Sequence, residues 1–441
     1  MPSSARPALR LFTLVWAGES IYLLPYALRR DYGPTLLAWL ELEGEAELGA
    51  LYSFFGALSL VAYLGGGWLA DRVAPRSLFA VALALTALGG GILAAGPSLA
   101  GAYGLFTLWA LSTIFLFWAA LIKATRLEGG AGAQGRAFGV LDGGRGLLAA
   151  LAATAGLGLF AAFGPGERGL LAVIALYAGA CVVGMGLSLA LLPRSGDAST
   201  SDAASTGGAG AMVPEAGVGT PWQRTLRVLE RPRTWLLGGV VFAAYAAFWG
   251  TFYVAGFATA AHGQGPAAAA AASVFGVWVR PLAALGAGLL ADRLGARRVV
   301  VGCFVLLTLA CGSLALVPPA AGGLSGLYVQ AGLLALGAYA LRGVYFAMLA
   351  EGGLPTVLTG TAVGVISFMG FAPDLLLPYG FGRLLDGLPG ATGYRALFAT
   401  LTLSSMAGGL CAALHAPQRT DPHRRPDSVP PPATATPEDP P

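Results

Sequence analysis

Apolar residues fill twelve separate windows of this chain, near 9–29, 48–70, 78–97, 100–122, 137–163, 169–192, 234–258, 269–291, 299–317, 324–349, 361–382 and 394–414. Each is about 20 residues long, and a helix of that length crosses roughly 30 Å of hydrocarbon with its backbone hydrogen bonds satisfied internally. The shorter alternating segments of a membrane β-barrel are not seen. The pattern therefore predicts an all-α integral membrane protein of twelve transmembrane helices.

Composition supports that reading. Hydrophobic residues are 56% of the 441 and charged residues 11%, with a mean hydropathy of +0.70. Soluble domains of this total length need more charge than that to cover their surfaces. The first window follows Arg6 and Arg10 as a signal peptide would, but it is too long, holds Glu19 and lacks a small-residue cleavage site, so it reads as a retained helix. Cys181, Cys303, Cys311 and Cys411 stand singly in apolar windows, as packing residues do. His262, His415 and His423 form no metal-binding motif, and neither a metal nor a cofactor is expected.

The basic residues give an orientation. With the N-terminus in the cytoplasm, twelve alternating spans put Arg72, Arg76, Lys123, Arg126, Arg136, Arg194, Arg224, Arg227, Arg231, Arg233, Arg293, Arg297, Arg298, Arg419, Arg424 and Arg425 inside. Only Arg29, Arg30, Arg168, Arg383 and Arg395 fall outside, so both termini are expected in the cytoplasm. Topology thus accounts for the formal charge of +4 with no nucleic-acid partner. The Gly/Ser/Ala/Thr-rich run after the sixth window divides six spans from six. We expect a bundle over 1–192, a cytoplasmic linker over 193–232, a second bundle over 233–415 and a disordered proline-rich tail over 416–441. Within the linker, "PWQRTLRVLERPRTW" suggests an interfacial helix anchored by Trp222.

One charged phrase is written twice. "GGGWLADRVAPRS" starts at Gly65 and "GAGLLADRLGARR" at Gly286, with Gly67, Asp71, Arg72 and Arg76 set against Gly288, Asp292, Arg293 and Arg297 at a constant offset. "SFFGA" at Ser53 and "SVFGV" at Ser273 precede the two copies, and "GRAFGV" at Gly135 matches "GTAVGV" at Gly360. A duplicated six-helix unit explains all three pairs. The pattern resembles the major facilitator superfamily of secondary transporters, whose signature between the second and third helices of each half is approximately G-x-L-A-D-R-x-G-R-[KR]. The second copy keeps the loop glycine as Gly295, whereas the first has Ala74 there and gains Pro75, which puts its turn shape in question. "LIKATRLEGG", "QGRAFGVLDGGRG", "WVRPLAALGAG" and "LRGVYFAMLAEG" further resemble the YihN-type branch of bacterial permeases.

The resemblance implies two pseudo-symmetric six-helix bundles that alternate in access around a midplane site. It also makes Gly67, Asp71, Arg72, Arg76, Gly288, Asp292, Arg293 and Arg297 a gating motif. An aspartate at the cytoplasmic end of one helix can sit beside the positive N-terminus of another, and arginines can reach acids or carbonyls across the seam between bundles. Gly65–Gly67 and the Gly286/Gly288 pair are expected to permit close helix crossings.

Six ionisable residues lie within the windows away from their ends: Glu19, Asp142, Arg145, Arg280, Arg342 and Asp374. Each is costly in hydrocarbon unless paired or hydrated, and three acids balance three arginines. At 1.5 Å per residue, Glu19 and Arg280 come out roughly 14 and 18 Å from the cytoplasmic landmarks, Arg145 and Arg342 about 13 Å, and Asp374 about 21 Å. Arg280 is the leading substrate ligand, because a guanidinium can clamp an anion with paired hydrogen bonds; the competing reading is an ion pair with Glu19 or Asp374. Asp142 and Arg145, three residues apart, suit a local pair. Arg145, Arg342, Glu19, Asp374, Tyr22, Tyr245 and Trp249 complete the candidate substrate site. Glu19, Asp374 and Asp142 are the proton-coupling candidates.

The expected function is secondary transport of a small solute, taken to be an organic or inorganic anion imported with protons, by a monomeric multi-pass protein of the bacterial inner membrane. The alternative within the class is a proton-driven exporter of drugs or amphiphiles. A non-transporting membrane sensor or a membrane-embedded enzyme is the alternative outside it, but the sequence offers neither a signalling domain nor a nucleophile–base pair.

Overall fold

The computed structural model describes residues 5–129, 134–193, 221–345, 347–348 and 359–415. Twelve helices in it are long and apolar enough to span a membrane. They are α1 Pro7–Trp39, α2 Glu45–Arg72, α3 Pro75–Ala94, α4 Leu99–Glu128, α5 Ala137–Ala162, α6 Glu167–Leu191, α7 Pro232–His262, α8 Pro266–Leu294, α9 Ala296–Leu316, α10 Gly322–Val344, α11 Gly364–Gly387 and α12 Ala391–Leu414. The described residues contain no strand.

Local chemistry sets the helix ends. Pro75, Pro232 and Pro266 open α3, α7 and α8 at the first turn, where a missing N–H costs nothing. Gly263 closes α7 in the left-handed region at φ +61°. The two phrase copies turn differently: Gly295 sits at φ +86°, whereas its counterpart Ala74 is extended at φ −62° and hands the chain to Pro75. A proline at the first helical position supplies the stop that a positive φ supplies in the other copy.

The first helix of each half is long and interrupted. α1 has 33 residues and α7 has 31. In α1 a wide π turn covers Leu23–Ala27 around Pro25, which lacks an N–H and cannot sit in a regular turn without clashing with the preceding one. In α7 a tight 3-10 turn covers Thr251–Tyr253. The break in α1 is sealed by Tyr52, whose hydroxyl donates to the Pro25 carbonyl at 2.7 Å.

The helices form two pseudo-symmetric six-helix bundles. α3 packs on α6 in one as α9 packs on α12 in the other, and the seam is made by α2 against α11 and α5 against α8, with the second half of α1 against α7 and α8. Large apolar side chains such as Leu282, Leu309 and Leu403 stay exposed on the outer faces, as suits a surface solvated by lipid. The buried core is not evenly shared. One cluster joins the second bundle to the half of the first that lies beyond Leu23, while Leu14, Phe79, Leu121, Leu141 and Cys181 form a separate cluster toward the repeated phrases. Among the described residues, the buried cores of the two bundles are continuous at the end remote from the phrases and separate at the end that carries them. We call these the far end and the motif end.

Two expectations need adjustment. The first window, expected to stop near residue 29, continues ten residues to Trp39, and Arg29 and Arg30 lie inside that helix rather than in a loop. Of the linker expected over 193–232, residues 194–220 lie outside the described residues, and a short helix, Pro221–Leu229, follows them. The tail over 416–441 also lies outside them.

Candidate functional site

The centre of the molecule is a charge cluster carried by three helices. Glu19 of α1 is buried at 5% exposure. Its Oε1 accepts from Arg280 Nη1 of α8 at 2.9 Å and its Oε2 from Arg280 Nη2 at 3.4 Å, so a guanidinium of the second bundle grips a carboxylate of the first with both prongs. Arg145 of α5 brings its Nε to 3.3 Å from Glu19 Oε2. The expected pairing of Arg145 with Asp142 is replaced by this contact. Gly18 leaves room for the Arg145 chain to lie across α1, since a Cβ there would sit 3.2 Å from Arg145 Cδ. Asp142 is exposed.

Asp374 of α11 belongs to a second, separate group. Its Oδ1 accepts from Trp249 Nε1 at 2.8 Å and its Oδ2 from the Tyr245 hydroxyl at 3.3 Å, both on α7. Asp374 is therefore held within its own bundle rather than by Arg280.

Arg342 of α10 differs from both. It is exposed to solvent although it lies in a transmembrane helix. Its guanidinium lies 4.2 Å from the centre of the Phe248 ring and 5.4 Å from that of Tyr245, and no carboxylate pairs with it among the described residues. Arg145 and Arg280 likewise stand over rings, Tyr22 at 5.5 Å and Tyr339 at 5.9 Å. Aromatic faces partly offset the desolvation of these cations. Tyr22, Tyr26, Phe252, Phe248, Tyr245, Phe371 and Tyr63 continue as a chain of ring contacts. The expected site residues thus fall into a Glu19–Arg145–Arg280 cluster, an Asp374–Trp249–Tyr245 group and an Arg342 that faces rings.

Sequence reasoning missed the far end. Arg29, Arg30 and Asp31 are 3%, 7% and 1% exposed. Arg29 Nη2 bonds Glu45 Oε2 at 2.6 Å while its guanidinium lies 5.0 Å from the Tyr253 ring of the other bundle. Arg30 grips Asp31 with Nε at 2.8 Å and Nη2 at 2.7 Å, and Asp31 Oδ1 also accepts from Ser273 Oγ of α8 at 2.7 Å. Asp386, at the end of α11, accepts from the backbone N–H groups of Glu45 at 2.9 Å and Ala46 at 2.8 Å, capping α2 across the seam. Ser53 Oγ accepts from Tyr379 N at 3.1 Å. Ser53 and Ser273 head the matched "SFFGA" and "SVFGV" stretches, and each bonds to the opposite bundle. Along α2 and α11 the approach is backbone to backbone: a Cβ at Gly56 would collide with the Asp374 carbonyl, and one at Gly382 with that of Glu45.

At the motif end, the described contacts of the repeated phrases stay within each bundle. Asp71 and Arg72 are exposed, Arg72 Nη1 donates to Trp68 O at 3.2 Å, and Lys123 Nζ donates to Ala70 O at 2.7 Å. Arg76 lines a cavity of about 290 Å³ with Asp71, Lys123 and Glu128. Asp292 and Arg293 are exposed, and Arg297 donates to the carbonyls of Ala412 and Ala413 at the end of α12. Of the phrase glycines, Gly65 and Gly66 meet Phe115 closely, whereas Gly67, Gly286 and Gly288 have open space beside them, so the expected close crossing occurs in the first copy alone.

The Major Facilitator Superfamily model matches residues 11–378. The chain belongs to that superfamily. Among relatives of this facilitator, the inner membrane protein YqcE of Escherichia coli K12 is 27% identical over 363 residues, covering 80% of this chain and 81% of that one. The inner membrane protein YihN of the same organism is 25% identical over 432 residues, covering 92% and 94%. The fold is also that of a point mutant of the nucleoside transporter NupG (TM-score 0.72, 14% identity, 93% of this chain and 99% of that one). A bacterial homologue of the lysosomal transporter Spinster shares it too (TM-score 0.62, 13% identity, 94% and 95%). The facilitator is a multi-pass inner membrane protein and a transporter of a small solute rather than an enzyme.

Proposed function

We propose that this transporter imports a small anion together with protons, taking Arg342 as its first contact. The observation that carries the reading is a solvent-exposed guanidinium within a transmembrane helix that faces aromatic rings and has no carboxylate paired to it among the described residues. An unpaired cation in a chamber of low dielectric attracts an anion strongly, and its planar fork suits carboxylates, sulfonates and phosphates. Arg280 becomes a second ligand, because Glu19 already occupies it. The parting of the bundles at the motif end supports a chamber that opens there. On this reading the basic loops of that end lie in the cytoplasm, both termini are cytoplasmic, and the transporter is a monomer that opens inward at the motif end. In it the bundles over 1–192 and 233–415 rock as units. Asp71, Arg72, Asp292 and Arg293 then reach across the seam when the motif end closes.

The chain of rings favours a second reading, export of a flat amphiphile. Thermal shifts of the purified protein across gluconate, methanesulfonate, nitrate, nucleosides and cationic dyes separate the two, because a bound ligand stabilises the conformation it fits. Uptake of the stabilising anion into proteoliposomes should be lost in Arg342→Ala and partly kept in Arg342→Lys. Stabilisation by cationic dyes alone overturns the anion reading.

A further inference from the structure

We propose that a groove between α1 and α5 holds one acyl chain of a membrane phospholipid, whose headgroup, a phosphate carrying a primary ammonium, sits on the Arg10–Glu128 pair at the mouth. This site lies outside the central charge cluster and does not depend on the nature of the cargo.

The groove is a cavity of about 810 Å³ at the motif end of the first bundle. Along α5 it is lined by Val140, Gly144, Leu147 and Leu151, which share one helix face, and the three that carry side chains are exposed although apolar. The opposite face of α5 makes the seam: Ala149 and Ala150 cluster with Val277, Gly146 approaches Pro281, and Thr154 accepts from the Trp278 indole, all on α8. The groove therefore opens away from the second bundle, toward lipid. Phe12 and Trp16 form its α1 wall, and Trp16 is fixed there because its indole N–H donates to the Ala180 carbonyl of α6 at 2.9 Å. Its floor is the crossing of the two helices, where a Cβ at Gly144 would sit 2.8 Å from Val15. From Ala137 to Leu151 the groove follows α5 for about 21 Å at the helical rise, against roughly 15 Å for the hydrocarbon of one leaflet, so a single chain can lie along it.

The mouth selects the headgroup. Glu128, at the end of α4, lines the groove, and its Oε1 lies 3.5 Å from Arg10 Nη1 of α1. Charge-assisted hydrogen bonds are ordinarily about 2.7–2.9 Å long, so this pair is loosely closed and each partner keeps bonding capacity for a further ligand. A phosphate suits the remaining donors of the Arg10 guanidinium, and an ammonium N–H suits the Glu128 carboxylate. A headgroup carrying both charges satisfies both side chains and leaves the mouth neutral. A glycerol headgroup brings a second negative charge beside Glu128 with no cation to offset it. A choline headgroup brings a cation but no N–H to donate. The chemistry of the pair thus fits phosphoethanolamine and neither of the others.

The test uses the full-length protein, delipidated in detergent and offered equimolar dioleoyl phosphatidylethanolamine, phosphatidylglycerol and phosphatidylcholine, with retained lipid counted by native mass spectrometry. The ethanolamine lipid should be retained about three- to fivefold more often than either of the others, the range of a partly exposed ion pair. Glu128→Gln should bring the ethanolamine and choline lipids to near parity. Leu147→Trp, which fills the groove from a lipid-facing position, should lower retention of all three. Glycerophosphoethanolamine, the headgroup without chains, should not compete. Equal retention of the three lipids by the wild type is the signature of a general lipid shell and overturns the proposal, as does a preference for phosphatidylglycerol or phosphatidylcholine. Undiminished retention by Leu147→Trp, or competition by the free headgroup, overturns the placement of the chain in the groove. If neither variant folds, the wild-type preference and the headgroup competition still decide the matter.

Discussion

Asp386 offers a clean perturbation of the seam. The first N–H groups of a helix have no partner inside it, and Gly44, the N-cap residue just before α2, has no side chain to cap them. Asp386 of the other bundle supplies the cap through two bonds of 2.9 and 2.8 Å, and a Cβ at position 44 would sit 2.6 Å from its carboxylate oxygens. Loss of an N-cap costs about 1 kcal/mol, and loss of a negative charge at a helix N-terminus a further few tenths at an exposed position such as this one. Because the cap exists only while the far end is closed, Asp386→Ala should shift the closed-to-open ratio by about 1–2 kcal/mol, or roughly 5- to 30-fold. Pulsed electron paramagnetic resonance between spin labels at Glu43 and Pro389 reads that ratio as short and long distances. The long population should grow in Asp386→Ala and grow less in Asp386→Asn, whose amide oxygen still accepts one bond. An unchanged distribution, or an equal change in a control such as Glu167→Ala, an exposed carboxylate away from the seam, would refute the reasoning.

Other substitutions probe separate contacts. Gly56→Leu should force α2 from the Asp374 backbone and push the same spin-label pair toward the long distance. Arg30→Met leaves the carboxylate of Asp31 buried without its partner, which costs about 3–5 kcal/mol and should lower the melting temperature in detergent, while adding Asp31→Asn should restore most of the loss. Trp249→Phe removes a hydrogen bond to a buried carboxylate, worth about 1.5–3 kcal/mol, and should lower the melting temperature more than Trp278→Phe, whose bond to Thr154 lies in an exposed position.

The twelve spans were legible because a bilayer imposes length and apolarity on every crossing, and the duplicated phrase gave away the pseudo-symmetry. The true end of α1 was not. Arg29, Arg30 and Asp31 look like a loop to any rule that counts charges, yet each is neutralised: Arg30 by its neighbour Asp31, and Arg29 by Glu45 on the next helix. Ser273, the remaining partner of Asp31, is more than 240 positions away, and Asp386 finds α2 across more than 300. The six intramembrane charges could be balanced on paper, but not paired. Spacing favoured Asp142 with Arg145, and what decided otherwise was the missing side chain at Gly18, which lets Arg145 cross α1. Arg342 became distinctive only once its neighbours proved to be rings rather than acids.

The way the far end is held suits a part that must open. Among the described residues, five donors cross the seam from the level of Glu19 outward besides Arg280: the backbone N–H groups of Glu45, Ala46 and Tyr379, the Ser273 hydroxyl and the Trp278 indole. At about 0.5–1.5 kcal/mol each they amount to roughly 3–7 kcal/mol. Carrying a two-state equilibrium from 1:99 to 99:1 takes about 5.5 kcal/mol, so the polar latch is of the same size as a full population shift. Between these bonds α2 and α11 touch through bare backbone at Gly56 and Gly382, where no side chain can bend to make an intermediate separation comfortable. Such a seam favours two arrangements over a continuum. The Glu19–Arg280 grip crosses the same seam at its centre, so any loosening of it acts on the latch directly, with no relay through either bundle.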